Sequence, residues 1–513
     1  MRHRGHVAHR RCGRAPSEPG GTPVIEPDLR PFIGGRRVAS RSAATLASID
    51  PATEQTLWHL PVGDPADVES AVAAARHAVD TTAWAKDASM RAEVLLRLAD
   101  LIDEHTAEVA LLDTLEIGVP IGITTVDAGV AASIVREVVG LIGEIGADVV
   151  APGRRVPRGV VGVLGPWNFP FFVALTKVLP ALAAGNAVVL KPTELASASA
   201  LRLGDLAARA GCPPGVVNVV PGRGDVVGDA LVRHPGIDQV NLTGSTDTGR
   251  RVIAATAASN LVPVLSELGG KSAQVVGEHV RDLDVVADAV AQSIFWASGQ
   301  VCVAGSRLIV HERHHDSLVE LLVERADRWK PGDPHDPAVQ AGPLGSEAHL
   351  RHVVGCVERA RAEGGVVVCG GERLERRGWY YPPTVVDGVG AHHSLFSTEV
   401  FGPVLAVTTC SSTAEAIDMA NATHYGLSAT GWSDDPDEID ALADGLRAAW
   451  VAVNPHLAEP ADPRVGAESV GWSGSGVEGG LPAMRAATRL TVVQQGRPAI
   501  DEQHDMNDER TQR

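Results

Sequence analysis

The sequence lacks the cysteine pattern of a metal ribbon or a secreted disulfide scaffold. Its six cysteines, at 12, 212, 302, 356, 369 and 410, are unevenly spread over 513 residues with no C-x-x-C pair, which fits reduced thiols in the cytoplasm. Basic charge is also short. Lys and Arg number 45 against 63 Asp and Glu, and the net charge of −18 works against attraction to nucleic acid or anionic lipid. The basic opening stretch, residues 1–24, has no apolar core behind it and so makes no secretory signal; it reads as a disordered leader. The strongest membrane candidate, Gly159 to Thr176, contains Pro166, Asn168 and Pro170. It divides into a buried strand and a buried helix, which excludes a span.

What is present is a globular composition, 44% hydrophobic and 21% charged, in a chain long enough for two or three domains. From about Asp64 to Gly146 apolar residues recur at three-to-four spacing, in DVESAVAAARHAV, RAEVLLRLADLIDEHTAEVALL and AGVAASIVREVVGLIGEIG, which predicts helices. From Gly159, short apolar runs such as GVVGVLG, NAVVLKP and DQVNLTG alternate with amphipathic stretches, as in a parallel βαβ sheet. A second alternating series starts near Lys271 and includes AQVVGE, RLIVHE, VVVCGGE, GPVLAVTTC and WVAVN. The fold class is therefore α/β, with two Rossmann-like open parallel sheets in tandem. TRLTVVQ near Leu490 is a lone terminal strand, and residues 497–513 form a polar tail.

Cys302, in SGQVCVAGSR, lies where an apolar helix meets a glycine-bearing loop. A nucleophilic thiol needs such access and a lowered pKa; a packing cysteine is the plain alternative. Cys369 and Cys410 fall in strand patterns and read as buried, inert thiols. Glu267 ends a strand run in VPVLSELGGKS. It is placed at the carboxyl edge of a parallel sheet either as a general base or as a solvated strand end. Asn168 follows a strand and precedes a helix, so its amide either donates to an oxyanion or caps the helix before Pro170. NLTGSTDTGRR offers Gly244, Ser245 and Gly249 between a strand and a helix, where backbone N–H groups can hold a pyrophosphate. The loop is neither G-x-G-x-x-G nor a P-loop. Lys191 and Glu194, in VVLKPTE, either bond ribose hydroxyls or form a strand-end pair. His311 to His315 formally satisfies H-E-x-x-H, but RLIVHE reads as a strand entering a loop, with the next helix near Asp316. That arrangement does not put two histidines on one helical face, which argues against a metalloprotease and a metal site; stoichiometric zinc with chelator-sensitive proteolysis would revive that reading.

PWNFP, KPTE, TGSTDTG, ELGGKS, SGQVCVAGSR and EVFGPV occur together and in this order, and with them the chain, from about Phe32 to Val493, resembles the aldehyde dehydrogenase superfamily. The resemblance implies oxidation of a small-molecule aldehyde to the acid, with NAD as cofactor and NADP as the alternative. It implies Cys302 as nucleophile, Glu267 as general base, Asn168 with the Cys302 N–H as oxyanion hole and Lys177 as a supporting charge. Pro166, Trp167, Lys191, Thr193, Glu194, Gly244, Ser245, Gly249, Leu268, Glu399 and Phe401 would contact the dinucleotide. Relatives that pass the acyl group to coenzyme A lack an acid at the Glu267 position, so Glu267 points to hydrolysis. The implied organisation is a dinucleotide-binding domain (25–146 and 159–267) and a catalytic domain (268–470). A small β arm (147–158 and 488–496) would hold together a homodimer or homotetramer. A catalytically silent member acting as a binding or structural protein is the alternative, against which stand Cys302, Glu267 and Asn168 together. One segment departs from the family pattern P-F-G-G-x-K-x-S-G: Gly466 to Gly474 reads GAESVGWSG. An aromatic and a lysine are missing, and Ala467 in the aromatic's place implies a wider substrate mouth.

Overall fold

Strands buried on both faces are apolar without alternation, and two sets of them organise this molecule. The structure, a computed structural model, describes residues 25–455, 462 and 464–495; the expectations for the leader and the polar tail lie outside these residues. Two short strands, β1 (Phe32–Ile33) and β2 (Arg36–Arg37), and a hairpin of β3 (Thr45–Ile49) and β4 (Thr56–Pro61) come first. Then follow α1 (Pro65–Thr81), α2 (Ala88–Glu104), α3 (Thr106–Ile117) and α4 (Ile121–Leu141). Helix α1 starts at a reciprocal cap. Asp64 accepts from the N–H groups of Ala66 and Asp67, and Asp67 accepts from the N–H of Asp64; a cap of this kind is worth about 1 kcal/mol. The stretch from Arg91 to Leu112 is two helices instead of one, because the chain breaks at His105.

After β5 (Gly153–Pro157), the first parallel set is β6 (Val160–Leu164), α5 (Pro170–Ala183), β7 (Ala187–Lys191), α6 (Ala198–Ala210), β8 (Val217–Val219), α7 (Asp229–Val232), β9 (Gln239–Thr243), α8 (Thr246–Ala257) and β10 (Val264–Glu267). Their order in the sheet is β8-β7-β6-β9-β10, all parallel. The chain starts in the middle and winds outward in both directions, so a crevice opens beyond the carboxyl ends of β6 and β9, where such sheets bind ligands.

The second set is β11 (Ala273–Val276), α9 (Leu283–Phe295), β12 (Arg307–His311), α10 (His315–Ala326), α11 (Glu347–Ala362), β13 (Val366–Cys369), β14 (Thr384–Asp387), α12 (Ser394–Ser397), β15 (Val404–Cys410), α13 (Thr413–Asn421), β16 (Tyr425–Gly426), β17 (Ser428–Trp432), α14 (Pro436–Gly445) and β18 (Trp450–Val453). The sheet order is β13-β14-β15-β12-β11-β17-β18, parallel except for β13. The chain then returns through β19 (Ala467–Glu468), β20 (Val470–Gly471), β21 (Gly474–Ser475) and β22 (Val477–Glu478) to α15 (Gly480–Ala486) and β23 (Thr488–Val492). Strand β21 runs antiparallel to β10, with Glu267 opposite Gly474. The terminal strand is not alone: β23 pairs along its length with β5. No described helix is long and apolar enough to cross a membrane.

Two buried carboxyls on α3 tie the first helices to the sheet. Glu116 accepts from the Ala198 N–H at 2.9 Å, Trp58 Nε1 at 3.1 Å and Ser48 Oγ at 3.1 Å, joining the β3–β4 hairpin to the start of α6. Asp113 accepts from the Phe171 N–H at 3.3 Å, and burial pushes its carboxyl up to about 8. The folded protein therefore keeps a proton that the unfolded chain releases near 3.8. The stability contributed by this group is full below that value and is lost as the pH rises toward about 8. Asp113→Asn keeps an acceptor and removes the titration. Its melting temperature relative to wild type is expected to be higher at pH 8 than at pH 5 by several degrees, since about 1.4 kcal/mol is lost per pH unit over most of that interval. Scanning calorimetry at both pH values checks this, and an equal difference at the two would remove Asp113 from the pH dependence.

Candidate active site

Helix α9 does not end in an ordinary turn. Ala297 (φ 49°), Ser298 (φ 56°) and Gly299 (φ 67°) are all left-handed, at a cost of about 1 kcal/mol or more for each of the first two. The conformation is held by Ser298 Oγ donating to the Gly342 carbonyl at 2.7 Å and the Ala297 N–H donating to that of Gln340 at 3.0 Å. At Gly299 a Cβ would lie 2.3 Å from the Gly402 carbonyl oxygen, so only glycine fits. The turn delivers Cys302, partly exposed, to the wall of a cleft between the two sheets.

The resting thiol corrects one expectation. A lowered pKa was anticipated, but burial, followed by the carboxylates of Glu478, Glu399 and Glu267, pushes Cys302 up to about 12, with Lys177 opposing. It is a protonated thiol that needs a base. Cys410 is buried as expected, whereas Cys369, on the edge strand β13, is only half-buried; desolvation raises both thiols.

Glu267 is the last residue of β10, at the carboxyl edge of its sheet. Burial, reinforced by Glu478, pushes its carboxyl up to about 7, while Lys177 and a hydrogen bond from Ser469 act in the opposite sense. Ser469 Oγ donates to Glu267 Oε2 at 2.7 Å, and Lys177, buried on α5, pairs with Glu478 at 2.9 Å. The two glycines after Glu267 are required by contact. A Cβ on Gly269 would sit 2.2 Å from Glu399 Oε2, and one on Gly270 would sit 2.3 Å from the Cys302 carbonyl oxygen. The Gly270 N–H donates to Glu399 Oε1 at 2.7 Å, and burial pushes Glu399 up to about 7.

Asn168 does not cap α5, whose N-cap is Phe169 with no side-chain bond. One N–H of its amide donates to the Gln300 carbonyl at 3.0 Å, which aims the group at the Cys302 loop; the amide has a second N–H to offer. Gln300 is fixed in turn, its Oε1 accepting from the Gly345 N–H at 2.8 Å.

The cleft holds ≈ 1890 Å³, and Pro166, Trp167, Thr193, Gly244 and Ser245 are among its lining residues, as are Asn168 and Cys302. Its donor set suits a dinucleotide. Ser245 caps α8, whose N-terminus faces the cleft and favours phosphate. Lys191 and Glu194, joined at 2.9 Å at the end of β7, offer a cation and a carboxylate for hydroxyls. Nearer Cys302 stand Glu399 and Phe401, the Phe401 ring 5.4 Å from that of Trp167. Two of the residues expected to contact the dinucleotide do not line the cleft. Gly249 is not in a loop but in the first turn of α8, where its N–H donates to the Ser245 carbonyl at 2.9 Å. Leu268 packs against it, and a Cβ on Gly249 would lie 2.5 Å from Leu268 Cδ1. These two hold α8 close to β10, which shapes the cleft from behind.

His311 ends β12 and His315 begins α10, where it pairs with Asp387 at 2.9 Å and Asp316 at 2.8 Å. The two rings serve different elements, and among the described residues no three His, Cys, Asp or Glu side chains group to hold a metal. Three residues escaped the sequence reading. Glu478 and Ser469 come from the C-terminal return, and His349, on α11, packs its ring 5.2 Å from Trp167 and donates from Nε2 to the carbonyl of left-handed Phe401 at 2.7 Å. The unusual GAESVGWSG segment was the signal for Ser469; an isolated histidine gave none.

Comparison with known proteins agrees with this geometry. The model of the aldehyde dehydrogenase family matches residues 38–493. An aminoacetaldehyde dehydrogenase of Pseudomonas aeruginosa is 40% identical over 83% of this chain and 87% of its own length. An aldehyde dehydrogenase of Enchytraeus buchholzi is 39% identical over 82% and 87%. Among solved structures, an indole-3-acetaldehyde dehydrogenase of P. syringae in complex with NAD+ superimposes with a TM-score of 0.88 at 35% identity, covering 91% of this chain and 96% of that one. A match over nearly the whole chain, with Cys302 and Asn168 on the wall of a dinucleotide-sized cleft and the Glu267 carboxylate close enough to act on the Cys302 thiol, leads to one conclusion: the chain belongs to the aldehyde dehydrogenase family and oxidises an aldehyde to the carboxylic acid with NAD(P) as hydride acceptor.

Proposed function

We propose that oxidation runs through a thioester on Cys302 that Glu267 then hydrolyses. The observation that carries this is a half-buried, protonated thiol under the electrostatic influence of a neighbouring carboxyl that is itself pushed up to about 7. A base is most useful when it titrates near the working pH. Glu267 takes the thiol proton, and the thiolate adds to the aldehyde carbon. The oxyanion is met by Asn168 Nδ2 and the Cys302 backbone N–H, donors already aimed before reaction. A bound nicotinamide dinucleotide supplies the hydride acceptor. Glu267 gives the thiol proton up to solvent, takes a second one from water as it attacks the thioester, and returns that proton to the departing Cys302 sulfur, which releases the acid and restores the thiol. Lys177, paired with Glu478, limits the build-up of negative charge around Glu267.

Glu194 supports a preference for NAD. Burial raises its carboxyl, but the Lys191 ammonium more than offsets this and holds it below its ordinary value, so an anion faces any 2′-phosphate. Assembly into a homodimer or homotetramer is supported by two uncovered strands. Strand β18 closes one edge of the second sheet with Trp450 42% exposed, and β23 carries Leu490 and Val492, 60% and 63% exposed. Apolar strand edges of this kind call for a partner. A reducing, cytoplasmic location is supported by five free thiols among the described residues.

Cys302→Ala is expected to abolish aldehyde oxidation, the first turnover included, while NAD still binds; undiminished steady-state turnover would sink the mechanism. Glu267→Gln is expected to stall as an acyl-enzyme, with an NADH burst no larger than one equivalent and an adduct on Cys302 in mass spectrometry. Because the thiol proton also leaves through Glu267, that burst is itself slow. With a panel of aldehydes that includes amino aldehydes and indole-3-acetaldehyde, KM is expected to be lower for NAD than for NADP, and Glu194→Ala narrows the gap; a strong wild-type preference for NADP contradicts this. Light scattering at micromolar concentration is expected to give a dimer or tetramer, and a monomer removes that reading.

A further inference from the structure

The segment where this chain departs from the family pattern, Gly466 to Gly474, runs directly past Glu267. Strand β19 pairs with β22, Ala467 opposite Glu478, and β21 pairs with β10, Gly474 opposite Glu267. Between them lies Ser469, at the pattern's second glycine when Ala467 is set at its aromatic. A glycine there has no side chain to offer. The serine puts a hydroxyl 2.7 Å from Glu267 Oε2, and an O–H facing a carboxylate can only donate.

We propose that Ser469 is a positioning residue for the general base: its hydroxyl ties down one oxygen of the Glu267 carboxylate and leaves the other for the proton of thiol or water. The inference rests on the reading of Glu267 as base. The groups facing that carboxylate are Glu478 on β22, Lys177 on α5 and the Cys302 thiol. Burial and Glu478 favour the protonated acid, and the charge of Lys177 is shared with Glu478 at 2.9 Å. A hydrogen bond donated to the ionised form favours that form, and the charge on the acceptor makes it a strong one. Ser469 thus works against the desolvation that raises Glu267, and it removes freedom from a side chain whose other partners are charges. It touches neither aldehyde nor cofactor in this scheme and acts through Glu267 alone.

The test follows the decay of the acyl adduct on Cys302, by quenched-flow mass spectrometry from pH 6 to pH 10, in wild type, Ser469→Ala, Ser469→Thr, Ser469→Gly and Glu267→Gln. Ser469→Ala and Ser469→Gly are expected to move the acidic limb of the decay rate up by about one pH unit. Near pH 7 that is about fivefold slower hydrolysis, approaching tenfold at pH 6, with recovery toward the wild-type rate by pH 10 and unchanged affinity for NAD. Ser469→Thr keeps the hydroxyl and keeps the wild-type limb. Ser469→Gly, which restores the glycine of the pattern, gives the answer should the alanine variant fold poorly. A limb at the wild-type position in both variants, or a uniform loss at every pH, overturns the role of Ser469. If Glu267→Gln hydrolyses its adduct at the wild-type rate, the reading of Glu267 as base falls and the Ser469 inference falls with it. If Glu267→Gln stalls while Ser469→Ala keeps the wild-type limb, the Ser469 inference alone fails.

Discussion

The active site depends on a close approach of backbone that two absent side chains permit. At Gly269 and Gly270 the end of the first sheet meets the Cys302 loop and the Glu399 loop of the second, with the Glu399 carboxylate accepting from the Gly270 N–H and the Cys302 carbonyl lying over Gly270. Any Cβ at these positions would fall within about 2.3 Å of a neighbouring oxygen. The contact brings a carboxylate borne by one sheet toward a thiol borne by a loop of the other, so each is positioned by its own sheet. Glu267 ends β10 and Cys302 follows a left-handed turn after α9. Neither lies on a free loop.

Bringing these elements together concentrates negative charge in a place with little water. Glu267, Glu399 and Glu478 all bear on Cys302, and Lys177 is the cation that opposes them. The result is a site at rest, with its thiol protonated and the carboxyls of Glu267 and Glu399 raised by burial. A low-pKa thiolate exposed to solvent would be open to oxidation and stray electrophiles. With the Cys302 thiol protonated, no charged sulfur stands in the cleft.

Much of this was legible in the sequence, for physical reasons. Strands buried on both faces announce themselves as unbroken apolar runs, which is why GVVGVLG and NAVVLKP could be placed in a parallel sheet, with Asn168 and Lys191 at strand ends. Strand β17 was less visible, since SATGW pairs on both sides within its sheet yet offers no apolar run. Gly249 misled because a glycine after a strand reads as loop, whereas here its missing side chain makes room for Leu268 inside a helix. The state of the Cys302 thiol could not be read locally, because two of the carboxylates that raise it, Glu399 and Glu478, lie far along the chain. The Lys177–Glu478 pair was half visible: the lysine came through resemblance, its partner only through the fold.

The return of the C-terminal segment to the first sheet has a temporal meaning. Strand β10 is complete in sequence by residue 267, but its antiparallel neighbour β21, the Ser473 carbonyl that receives the Leu268 N–H, the Ser469 hydroxyl and the Glu478 partner of Lys177 all come some 200 residues later, the separation between Ser469 and Glu267 being 202. Synthesis is vectorial, and early domains fold as units while later ones are still being made. A nascent chain can thus form its dinucleotide crevice and even expose Cys302 while the surroundings of Glu267 are missing. The late return completes the surroundings of Glu267, and a chain cut short before it would lack the Ser469 hydroxyl, the Glu478 partner of Lys177 and the Trp472 wall of the cleft.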